Sequence, residues 1–157
     1  MADFNPSNEA DLLLAANDDV QRALANIAPE GWGHSAPGEW SAAEIVGHMI
    51  EMEPYWARVA ATVAQRPGSE AGRATDDARR LGGPETGSGL TPQQAADSLT
   101  AAGNQAADIV REIPPQDAEK SGRRRDGTPM TVQQIIQQLL VGHAREHTRQ
   151  LLAALGA

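Results

Sequence analysis

Residues 41–63, SAAEIVGHMIEMEPYWARVAATV, decide the fold class. Ser41 and Glu44 are spaced as a capping box: the hydroxyl accepts from the N3 amide while the carboxylate reaches back to the cap. Behind it Ile45, Met49, Met52, Trp56, Val59 and Val63 recur at three- and four-residue steps, the stripe of an amphipathic helix. The helix is expected to fade at Arg66-Pro67-Gly68.

Two further segments open in the same way. Thr91-Pro-Gln-Gln94 precedes Ala95, Leu99, Ala102, Ala106, Ile109 and Ile113, and Pro114-Pro115 ends that helix. Thr131-Val-Gln-Gln134 precedes Val132, Ile136, Leu139, Leu140, His143, His147 and Leu151, with Gly156 just beyond. A first helix over Pro6 to Ile27 carries Leu13, Ala16, Val20, Leu24 and Ile27. No strand pattern competes. The reading is an all-α four-helix bundle, one domain over residues 1–157. Connections 67–90 and 114–130 exceed those of an up-and-down bundle, which permits a crossover. A short helix is expected within 69–81, and the Gly-rich end of that connection reads as a lid or a slack link.

Composition narrows function. Apolar residues make up 40% of the 157 and aromatics only 3%, so the core is aliphatic. With a net charge of −8 the chain has no global attraction for nucleic acid. Arg123-Arg124-Arg125 reads as a solvated loop. No apolar stretch reaches the ~20 residues of a membrane span, and the acidic start lacks a signal-peptide pattern, so a cytoplasmic protein is expected. There is no cysteine, which excludes a thiolate metal site or cysteine nucleophile of the chain's own.

The histidines carry the chemistry. His143 and His147 share one helical face at i, i+4, on the apolar stripe where Leu or Ile is expected. His48 flanks the stripe of its own helix. It lies about 10 Å from the start of that helix, and His147 about 10 Å from the end of the last one, at 1.5 Å per residue. The three meet if those two helices are antiparallel, which the long 67–90 crossover allows in an up-down-down-up order. Three neutral imidazoles leave a coordination position open, as catalytic zinc sites do, and also suit nickel, iron and copper. Core histidines satisfied by hydrogen bonds are the structural alternative.

The stretches GEWSAAEIVGHMIEMEPYW (38–56) and GHAREHTRQLL (142–152) resemble the DinB/YfiT-like family of metalloenzymes. The resemblance implies an up-down-down-up bundle, often a homodimer, holding zinc or nickel on His48, His143 and His147. It also implies functions ranging from thiol S-transferases and a thiol-dependent isomerase to metal-dependent hydrolases on small molecules. With no cysteine here, a low-molecular-weight thiol has to arrive as a cofactor. Glu51 and Tyr55 are candidate catalytic residues, and Trp32 and Trp40 a candidate cofactor-binding rim. Glu44 is assigned to its cap, Glu146 to a salt bridge and His34 to an exposed loop. The alternative is a non-catalytic metal- or ligand-binding stress protein of the same fold.

Overall fold

A computed structural model describes residues 3–156. It is mostly helical with one small hairpin. The helices are α1 (Pro6–Ala25), α2 (Pro29–Gly33), α3 (Ala42–Gln65), α4 (Ala78–Ser88) and α5 (Pro92–Arg111). A 3-10 turn, Pro115–Asp117, leads to strands β1 (Ser121–Arg123) and β2 (Pro129–Thr131). The chain then runs without a break through α6 (Val132–Gln134), a π-helical segment (Ile135–Gly142) and α7 (His143–Ala154).

All three capping boxes form. Ser41 with Glu44, Thr91 with Gln94 and Thr131 with Gln134 exchange both hydrogen bonds. Asn5 caps α1 through its side-chain oxygen, with Pro6 at the first helical position. The first helix stops at Ala25, two residues before the expected Ile27.

The stripes read from the sequence form one buried cluster, including Leu13, Val20, Ile45, Met49, Met52, Leu99, Ile136, Leu140 and Leu151. Contacts between the long helices are specific. Gln21 of α1 donates to the Ala96 carbonyl at 2.9 Å near the start of α5, and Arg111 at the end of α5 pairs with Asp11 at 3.0 Å. Thr148 of α7 lies 3.4 Å from the Ala16 carbonyl, and Gln137 donates to Glu9 at 2.9 Å.

The connections hold what periodicity missed. The 28–40 link contains α2, and the 114–130 link contains the hairpin. Three paired residues a side are too short for an alternating pattern to register. Backbone bonds from Gly68 to Ser121, Arg123 to Ser69 and Ala71 to Arg123 lay the 68–71 segment along β1, so it is not slack.

The larger difference is α4. The expected short helix within 69–81 lies at 78–88 instead, and the Gly-rich run read as lid or slack link is helix. Glycine disfavours helices in isolation, but here it permits contact. A Cβ on Gly47 would lie 2.3 Å from the Gly83 carbonyl, and one on Gly87 would lie 2.1 Å from the Ala43 carbonyl. The α3 and α4 backbones touch, and tertiary packing overrides propensity. Gly47→Ala is therefore expected to destabilise the fold by about 1–3 kcal/mol, as overpacking does. Gly82→Ala, with nothing within 4 Å of its Cβ, is expected to be neutral or to stabilise by up to about 1 kcal/mol. Urea unfolding of the two variants measures the contrast.

One polar pair interrupts the core. Glu53 is fully buried, and Asn17 Nδ2 donates to its Oε1 at 2.7 Å. Glu53 Oε2 and Asn17 Oδ1 are buried with no partner. A proton on Glu53 supplies the missing donor, and burial raises its pKa to about 8 from 4.5. Between those values the folded chain holds a proton that the unfolded chain has released, so stability falls as pH rises from about 4.5 to 8. Glu53→Gln keeps the donor and is expected to flatten that slope. Denaturant midpoints of both proteins at pH 5 and pH 8 measure it.

Candidate functional site

The first two turns of α3 and the first two turns of α7 meet at one cleft of about 510 Å³. His48 projects from α3, and His143 and His147 from α7. The His48 and His147 ring centres are 4.7 Å apart, and those of His143 and His147 5.8 Å. The sequence expectation that the three rings meet holds in the structure.

Burial favours the neutral, ligating form of His48 and His143. Burial, reinforced by the charges of His147 and Arg80, lowers the His48 pKa to about 3. Burial also lowers that of His143, with His147 adding to it. His147 Nδ1 lies 3.0 Å from Gln150 Oε1, a contact that suits the tautomer protonated at Nδ1, whose Nε2 lone pair is free. His48 Nδ1 is buried without a partner, and His143 Nδ1 is buried without a well-formed hydrogen bond, although the Leu139 carbonyl lies close to that ring. Imidazole nitrogens of this kind, on three neighbouring rings, are of the donor type that divalent ions take. As placed, no group of three or more His, Asp or Glu side chains among the described residues is arranged to hold a metal ion.

Of the two tryptophans expected at the rim, Trp40 is there. Its ring centre lies 5.0 Å from that of His48 and 6.2 Å from that of His147. Trp32 is not among the residues lining the cleft. It is buried, and its indole N–H donates to the Leu90 carbonyl at 2.8 Å, tying α2 to the entrance of α5. Trp56 takes part in the wall instead. Its place on the apolar stripe concealed this, since a core ring and a cleft ring share the same periodicity.

Glu51 and Tyr55 also stand outside the lining. They hold Arg73, which is inside it. Arg73 forms a fork with both oxygens of Glu51, one contact being 2.9 Å, and its Cζ lies 3.8 Å from the Tyr55 ring centre. Burial pushes the Tyr55 hydroxyl above its ordinary pKa, and the Arg73 charge opposes that. Glu44 keeps its cap, and His34 is exposed, both as expected. Glu146 is exposed and makes no ion pair among the described residues, contrary to expectation.

The sequence reading missed the far wall. Ala71, Gly72, Arg73 and Thr75 approach from the connection, Arg80 from α4, and Arg124, Arg125 and Asp126 from the hairpin turn. Arg124 and Arg125 are exposed, as a loop should be, but they edge the cleft. No periodic signal could have found a wall built from three separate connections.

The model of the DinB superfamily matches residues 12–151. The chain belongs to the DinB superfamily. Among solved structures, this DinB-superfamily chain is similar to the mycothiol-dependent maleylpyruvate isomerase, with a TM-score of 0.72 and 15% identity. It is equally similar to a histidine-to-alanine variant of that enzyme, at 0.72 and 13%. Each alignment covers 99% of this chain and 62% of the other, so the DinB chain spans under two thirds of the isomerase's length. At such identity the likeness is one of fold. A comparison with curated proteins gave no match. No helix among the described residues is long and apolar enough to cross a membrane.

Removing the Glu51 carboxylate would leave Arg73, whose side chain is only 9% exposed, without its main counter-charge. Glu51→Ala is expected to cost about 3 kcal/mol, as for other broken buried pairs. It is also expected to speed tryptic cleavage at Arg73, which timed digestion followed by mass spectrometry reads directly.

Proposed function

We propose that this DinB-superfamily chain is a metal-dependent enzyme that uses a low-molecular-weight thiol on a small-molecule substrate. The observation that carries the reading is the cluster of three imidazoles in a cleft of about 510 Å³, two of them with a buried Nδ1 that makes no well-formed hydrogen bond. His48, His143 and His147 would hold a divalent ion, zinc or nickel by donor type. When bound, such an ion supplies positive charge that favours the thiolate form of a coordinated thiol.

The chain's own residues do the rest. Gln150 orients His147 through Nδ1, leaving Nε2 for ligation. Trp40 packs beside His48 and His147 and keeps water from that side of the rings. With no cysteine in the chain, the sulfur nucleophile has to come with a cofactor, and the mycothiol dependence of the isomerase neighbour supports that source. Glu51 and Tyr55 act through Arg73, as positioning residues. An up-down-down-up bundle in one domain is part of the same proposal. It is supported by the meeting of His48 near the start of α3 with α7, and by the Gln21–Ala96 and Arg111–Asp11 contacts between α1 and α5.

Metal analysis of untagged protein is expected to find about one zinc or nickel per chain, lost in His48→Ala and in His143→Ala. Thermal stability should fall on chelation and return with the ion. Conjugation of mycothiol, bacillithiol or glutathione to monochlorobimane should require both the metal and His48. A stoichiometric ion with no turnover on any thiol would favour a non-catalytic binding protein. No ion, and no stabilisation by added zinc or nickel, would overturn the metal site itself.

A further inference from the structure

The charge of the cleft is unused by the imidazole chemistry. The chain carries a net charge of −8 with 13 basic residues in 157, yet Arg73, Arg80, Arg124 and Arg125 line this one cleft against a single carboxylate, Asp126. Arg73 is neutralised by Glu51 and Asp77. The other three have no ion-pair partner among the described residues. Asp126 is occupied with its own turn: its Oδ1 accepts from the Thr128 amide at 2.9 Å and from the Thr128 hydroxyl at 2.6 Å.

Arg80 is the best placed of the three. It is half-buried beside the imidazoles, and Nη1 donates to the Thr75 carbonyl at 2.7 Å, which tethers one edge of the guanidinium. Its remaining N–H donors have no recorded acceptor. A half-buried guanidinium without a counter-charge is costly, and three like charges converging on one cleft repel. A bound anion removes both penalties. The planar, forked donor pattern of arginine suits a carboxylate, and Trp40, Trp56 and Leu139 give the same cleft apolar walls for a carbon skeleton.

We propose that the cleft selects a small organic carboxylate, with Arg80 as its fixed anchor and Arg124 and Arg125 closing over it from the hairpin turn. This deepens the reading above, because it makes the substrate an anion held between the arginine wall and the imidazole wall. The carboxylate lies at the arginines and the reacting carbon faces the histidines.

The test is a fluorescence titration of the full chain, as purified and again after metal stripping, at low ionic strength. Trp40 and Trp56 line the cleft and report binding. The probes are succinate, its neutral isostere succinamide and inorganic phosphate. Succinate is expected to bind at least about tenfold more tightly than succinamide, with or without metal, and to weaken as salt rises. Arg80→Gln is expected to weaken succinate about tenfold. The double variant Arg124→Gln/Arg125→Gln, confined to an exposed turn and so without effect on folding, should weaken it severalfold and reduce the salt dependence. Equal binding of succinate and succinamide, or arginine variants that bind as the parent does, would overturn the proposal. Binding that vanishes on metal stripping would place the anion on the ion and not on the arginines, and tighter binding of phosphate would overturn the carboxylate assignment. Because the stripped protein carries the decisive arm, a failed metal assay and a failed anion assay remain separate results.

Discussion

The close approach of α3 and α4 is the constraint on which the cleft depends. Gly47 and Gly87 let two backbones touch where any side chain would collide with a carbonyl, and Gly83 keeps the same seam tight. That contact sets α4 beside the turn of α3 that carries His48, and so brings Arg80 to the imidazoles. The same seam anchors one end of the 66–77 segment, while its bonds to β1 anchor the other. A cleft whose floor is helical and whose far wall is loop is thus held at both ends by backbone.

Helix starts were legible in the sequence because capping is local chemistry. Ser41, Thr91 and Thr131 each needed only a partner three residues on, and each formed the expected box. The convergence of His48, His143 and His147 was legible for a related reason, since depth along a helix follows from counting residues. The rest was hidden by physics that counting does not see. The glycines of α4 argue against a helix until a neighbouring backbone is there to be touched. Trp32 and Trp40 flank one short link and look alike in sequence, yet one hydrogen-bonds away from the cleft and the other faces it. Arg124 and Arg125 are a solvated turn by composition and a binding rim by position.

The cleft and the core handle polar burial differently. In the core, Glu53 is matched to Asn17 as an acid to an amide, and a proton completes the pair. Behind the cleft wall, Glu51 is matched to Arg73 as an ion pair, and the cost of burying charge is offset by the fork and by the Tyr55 ring. The imidazoles and Arg80 are left incompletely matched. Unmatched groups at a solvent-facing cavity mark where a ligand, and not another side chain, completes the structure.

The π-helical segment 135–142 lies immediately before His143, and Gly142 is where it ends: a Cβ there would lie 2.8 Å from the Gln137 carbonyl five residues earlier. Each wide turn holds more residues than an α-turn. The phase of the histidine pair is therefore set by the number of residues stored in the wide turns, and not by heptad counting from the Thr131 cap. A relative with one residue fewer in this stretch can tighten it to ordinary α-helix and present the same pair to the same cleft. Length variation between cap and ligands is then silent in three dimensions, although a linear alignment would read it as a displaced site.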